Sequence, residues 1–63
     1  MFKINIDVYD TDETYLYHYC DDAQEALSYF NGACRDVKER AVIELVEVKD
    51  GFVTIIKTKA AGD

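Results

Sequence analysis

Phe2, Ile4, Ile6 and Val8 alternate with Lys3, Asn5, Asp7 and Tyr9, the period of two that marks a strand with one buried face. This predicts a strand over 2–9. Beyond the polar run Asp10-Thr11-Asp12-Glu13, the aromatic segment Thr14-Tyr15-Leu16-Tyr17-His18-Tyr19-Cys20 predicts a second strand over 14–20 and closes a hairpin. The period then changes to that of a helix. Ala23, Ala26, Leu27, Phe30, Ala33, Cys34 and Val37 recur at steps of three and four, giving one narrow apolar stripe. Asp22 with Glu25 three residues on makes a capping box, and Asp21 adds charge favourable to the positive end of the helix dipole. The helix is expected over 22–38 and continuous through Gly32, because the stripe keeps its phase across that residue. Two more strands follow over 41–48 and 52–59, joined by Asp50-Gly51, a pair suited to the two positive-φ positions of a type I′ turn. Residues 60–63 are expected to form a disordered tail. The order β-β-α-β-β defines one α+β domain over 1–63, a four-stranded antiparallel sheet with one helix packed on one face.

The hydrophobic pattern leaves a surplus. With Asp50-Gly51 as the turn, Val48 is placed opposite Val53, Val46 opposite Ile55, Leu45 opposite Ile56 and Lys49 opposite Phe52. Both faces of the second hairpin then carry apolar residues, and one helix covers one face. A β-bulge that switches the phase, a second copy of the chain, or a foreign partner would each resolve this. The first hairpin has its own ambiguity. A loop of two or four residues sets Val8, Ile6 and Ile4 opposite Tyr15, Tyr17 and Tyr19, whereas a three-residue loop sends Leu16, His18 and Cys20 inward and turns Tyr9, Tyr15, Tyr17 and Tyr19 outward. The even loop is favoured, since the odd one lacks the glycine of a bulged turn and buries a histidine.

Charge narrows the choice of partner. The net charge is −6, and it resides in the first 25 residues, where seven acids face Lys3 alone; from residue 26 onward acids and bases balance. Clustered Lys and Arg carry affinity for phosphate backbones, so direct nucleic-acid binding is disfavoured and a partner with a basic surface is favoured. No stretch approaches the roughly 20 apolar residues of a membrane span. The N-terminus lacks the apolar core of a secretion signal, and two cysteines are too few for a disulfide framework. A cytoplasmic location with reduced thiols is expected.

Candidate chemistry is sparse. His18 and Cys20 share one strand face, and Cys34 on the helix could come near, but the short paired spacing of structural zinc sites is missing. An ordinary strand histidine with buried thiols is the expectation. Asp10, Asp12 and Glu13 lack the central glycine and the twelfth-position Glu of a calcium loop. The three glycines stand apart, so there is no phosphate loop. No residue is assigned to catalysis, to a cofactor or to a metal, and the chain is read as a non-enzyme.

The succession of strand, acidic turn, tyrosine-rich strand, helix and strand over about residues 4–48, with its Tyr15-Leu16-Tyr17-His18 run, resembles the small phage-encoded inhibitors of uracil-DNA glycosylase. In that family two helix aromatics four residues apart, presented by a dimer, grip an apolar side chain of the enzyme. Ala26 and Phe30 occupy the matching positions, and Phe30 keeps the aromatic. More loosely, the chain is similar in style to anti-CRISPR and other phage counter-defence proteins, short acidic chains that occlude the nucleic-acid path of a host enzyme. The resemblance implies an inhibitor acting in the host cytoplasm that blocks a basic surface. Asp7, Asp10, Asp12 and Glu13 are expected to supply the charge and Tyr15, Tyr17 and Tyr19, if they turn outward, the anchors. The alternative is a structural or regulatory homodimer whose acidity serves solubility.

Overall fold

A computed structural model describes residues 1–62. Its elements are β1 (Phe2–Val8), β2 (Glu13–Cys20), α1 (Ala23–Asp36), β3 (Ala41–Lys49) and β4 (Phe52–Ala61). The strands form one antiparallel sheet in the order β2-β1-β3-β4. The fold is therefore α+β, with α1 across one face.

The two strands of most regular alternation lie at the centre. Ile4, Ile6 and Val8 of β1 pair with Leu45, Ile43 and Ala41 of β3, and this layer packs beneath Ala26, Phe30 and Ala33 of α1. Phe30, Ile4, Ile6 and Ile43 are the largest fully buried side chains. Each such burial contributes about 1.5–3 kcal/mol. The ladder is extended at both ends, where Tyr9 N–H donates to the Arg40 carbonyl at 2.9 Å and Val48 N–H to that of Met1 at 2.7 Å.

Helix α1 begins where Asp22 accepts the Glu25 N–H at 3.0 Å, and it runs unbroken through Gly32. It is shorter than 22–38. Val37 already takes an extended ψ of 121° while its N–H closes the last turn on Ala33, which keeps its side chain against the core as the chain turns toward β3. Ala23 and Leu27, expected in the buried stripe, are exposed.

Each hairpin carries one bulge, and each bulge falls on an edge strand. In β3–β4, Asp50 and Gly51 have φ of 52° and 82°, as the type I′ turn requires. Val48↔Val53 and Val46↔Ile55 pair as the turn dictates, but Leu45 then pairs with Lys57, so Ile56 is the extra residue. The expected Leu45–Ile56 pair does not form. The shift places Lys57, Lys59 and Ala61 on the helix side, where the Lys57 ammonium lies 5.6 Å from the centre of the Phe30 ring. In β1–β2, Ile6 pairs with Tyr15 and Ile4 with His18, leaving Tyr17 as the extra residue. The loop between β1 and β2 is even in length, with Asp12 in the left-handed region at φ 57°. The bulge nevertheless turns His18 and Cys20 toward the helix side. Such bulges twist a strand and interrupt its pairing edge.

The expected tail is corrected in part. Ala60 and Ala61 are the last residues of β4, and Ala61 is buried opposite Ala41. Gly62, at φ 78°, runs so close to the Glu39 carbonyl that a side chain there would collide with backbone. Asp63 lies outside the described residues. Among the described residues, no helix is long and apolar enough to cross a membrane.

Candidate functional site

The acids that are contiguous in sequence are divided in space. Asp10, Asp12 and Glu13 stand at the β1–β2 turn, while Asp21, Asp22 and Glu25 stand at the opposite end, where β2 meets α1. The eight residues of β2 between them span roughly 25 Å at strand rise. That is about three screening lengths at physiological salt, so the two groups act as separate charges.

At the turn, Asp10, Asp12 and Glu13 are exposed, and among the described residues none forms an ion pair with Lys or Arg. Asp7 is set apart from them. It is half-buried on the face away from the helix, where it accepts a hydrogen bond from the Thr14 hydroxyl. Glu44 lies beside it. Burial first, then the hydrogen bond to Asp7 and the Asp7 charge, push the Glu44 carboxyl above its ordinary value. Asp7 is thus engaged within the sheet face, whereas the three turn acids are free.

The tyrosines do not share one surface. Tyr15 pairs with Ile6 on the helix side, where desolvation, then Glu39 and Tyr17, raise its phenol. Tyr17 lines a shallow groove with Ser28, Tyr29, Gly32, Arg35 and Asp36 of α1. Tyr19 pairs with Lys3 on the opposite face and is 63% exposed. Only Tyr15, with Tyr9, borders the acidic turn. The Tyr17 bulge sends Tyr19 to the face opposite Tyr15, and no local pattern in β2 distinguishes Tyr17 from its neighbours. Ala26 and Phe30, at the positions of the helix grip implied by the family resemblance, are both buried against the sheet. They present no aromatic to a partner in this structure.

At the other end of β2, His18 and Cys20 face the start of α1. His18 Nε2 and Glu25 Oε2 are 3.0 Å apart, and the imidazole stacks on Tyr29 at 3.6 Å between ring centres. The Cys20 thiol donates to the Asp22 carbonyl at 3.4 Å. Desolvation raises this thiol, outweighing the hydrogen bond to Asp22, and the Glu25 and Asp22 charges raise it further. It is held as a thiol rather than as a nucleophilic thiolate. Cys34, considered from sequence as a neighbour, packs against the core instead, and Glu25 takes its place. The sequence contained the signal that finds Glu25: the capping box fixes it in the first turn, directly after the strand that carries His18 and Cys20.

Away from the helix, the sheet keeps an apolar strip. Val46 is buried there among its strand neighbours, while Val53 and Ile55 are 65% and 57% exposed. The bulge at Ile56 does not remove this strip, because it acts beyond Ile55.

No family model, curated protein or solved structure matches this chain.

Proposed function

We propose that this chain is a non-enzymatic binding protein that docks its β1–β2 turn on the basic surface of a nucleic-acid enzyme and so obstructs the path of the nucleic acid. The observation that supports this reading is the turn itself: Asp10, Asp12 and Glu13 are exposed at one end of the sheet with no cation paired to them among the described residues, flanked by Tyr9 and Tyr15. Unpaired carboxylates are attracted to Lys and Arg that otherwise hold phosphates, and such attraction speeds association and weakens with salt. Exposed tyrosines beside them supply contact area at low entropic cost and cation–π partners for Arg. Asp7, though next to the turn, is engaged by Thr14 on the sheet face, Tyr17 lies against α1, and Tyr19 stands toward the far end of β2, so these three, given contact roles from sequence, are not part of the proposed contact.

The test uses three immobilised proteins: the natural chain, the variant D10K/D12K/E13K, and D21K/D36K/E47K, which has the same altered net charge placed elsewhere. The natural chain is expected to retain nucleic-acid enzymes from a bacterial lysate at low salt and to release them to added duplex DNA. The turn variant should retain none of these enzymes, and the control variant should keep them. Identical retained sets for the natural chain and the turn variant would remove the turn from the function.

A second reading, self-association, is favoured by a separate observation. The exposed Val53 and Ile55 form an apolar strip on the sheet face that α1 leaves open. A homodimer through this strip would leave the acidic turn free, so the two readings are compatible.

A further inference from the structure

The corner where β2 ends and α1 begins gathers three different donor atoms. His18 Nε2, Cys20 Sγ and a Glu25 carboxylate oxygen all lie within 4.8 Å of one another. We propose that this corner is a binding site for a borderline divalent cation of the Zn²⁺ type, held by His18, Cys20 and Glu25, with water in the fourth position.

The donor set selects the ion class. A thiolate, an imidazole and one carboxylate suit Zn²⁺ or Co²⁺, whereas Mg²⁺ and Ca²⁺ require shells built mainly of oxygen. The charges also close, since a thiolate and a carboxylate neutralise the divalent ion. The geometry is nearly in place. Donors bound to tetrahedral zinc at about 2.0–2.3 Å sit roughly 3.3–3.7 Å from one another. The His18–Glu25 separation is already 3.0 Å, so the main adjustment is a turn of the Cys20 side chain toward the other two. In that movement the thiol leaves the Asp22 carbonyl and releases its proton to solvent, and the imidazole gives up the Nε2 proton it shares with Glu25 and keeps one on Nδ1, so that both donors meet the ion with a lone pair.

The ligands come from two elements of the fold, β2 and α1. His18 and Cys20 are two apart on β2 and so share a face, which they owe to the Tyr17 bulge. The Tyr29 ring lies against the imidazole with an interplanar angle of 10°, and this fixes the ring plane while leaving Nε2 directed at Glu25. Glu25 is anchored in the first turn of α1 by its own N–H bond to the Asp22 carboxylate. The site is partly open, with the His18 side chain 25% exposed and that of Glu25 47% exposed, which gives an entry path and room for water. A bound ion would clip the edge strand β2 to the start of the helix.

The experiment is a Co²⁺ titration of the reduced protein, read by visible absorption and by thiolate-to-metal charge transfer, followed by displacement with Zn²⁺. Saturation at one ion per chain with a charge-transfer band is expected, together with a rise in melting temperature on adding Zn²⁺ and none on adding Mg²⁺. C20S should lose the band, and H18A and E25Q should each weaken binding by roughly tenfold or more. C34S should bind as the natural chain does. Absence of the band in the natural chain overturns the proposal without recourse to variants, and shows the corner to be a hydrogen-bonded His–Glu–Cys cluster only. A band that survives C20S but is lost in C34S overturns it as well.

Discussion

Glu44 shows how one residue's surroundings become a property of the whole chain. Its carboxyl is pushed above the ordinary value of 4.5 chiefly by burial, with Asp7 adding a hydrogen bond and a like charge. Below that ordinary value the folded and unfolded chains both hold the proton and nothing is lost. As pH rises past it toward the higher folded value, the unfolded chain releases its proton first, and the folded state loses stability. Replacing Glu44 by Gln keeps a donor for Asp7 and removes the ionisation. E44Q should therefore unfold at a higher urea concentration than the natural chain at about pH 7 and at a similar concentration at about pH 4. An equal advantage at both pH values would show that the gain comes from packing rather than from charge. The residues of the β2–α1 corner make the complementary point: each has an ordinary local role, and it is their convergence that sets three donor atoms within 4.8 Å of one another.

At the scale of elements, α1 and the two edge strands behave differently. The helix follows its local signals closely, with Asp22 as its cap and one face on the sheet, and it tolerates Gly32 without a break. A methyl group at Gly32 would meet only the Arg35 guanidinium at 3.7 Å, an ordinary contact. G32A is expected to stabilise the chain by about 0.5–1 kcal/mol through helix propensity, a rise in melting temperature of roughly 2–8 °C for a domain of this size. A loss of stability would mean that the groove beside Tyr17 and Tyr29 needs the space. The edge strands, by contrast, each depart from simple alternation at one residue, Tyr17 and Ile56. Alternation in a strand specifies faces only while the register is unbroken. Beyond each bulge the sequence pattern points to the wrong side, which is why Lys57 and Lys59 occupy the helix side and His18 and Cys20 do too.

For the whole molecule, the exposed strip on β4 bears on oligomeric state. If Val53 and Ile55 mediate self-association, sedimentation velocity should show a concentration-dependent dimer for the natural chain and a monomer for I55K, with unchanged far-UV circular dichroism. A monomer for the natural chain across the micromolar range would remove that reading and leave the acidic-turn proposal untouched. The division of charge is also a whole-molecule property. Acids that sequence order presents as one block become two groups at opposite ends of β2, and of the two, among the described residues, the turn group keeps its carboxylates exposed and without an ion-pair partner, next to Tyr9 and Tyr15.

The sequence by itself determined the order of elements, the position of the Asp50-Gly51 turn, the cap of α1 and the central core strands, because each depends on signals within a few residues: periodicity, capping and turn conformations. It also placed the acidic turn residues at one loop. Tertiary structure alone decided the two bulges, and through them the faces of Tyr15, Tyr17 and Tyr19, since a one-residue slip on an edge strand costs little locally and is set by what packs across the sheet. The meeting of Glu25 with His18 and Cys20 was decided in the same way. It depends on how the helix lies on the strand, a relation that neither segment encodes alone.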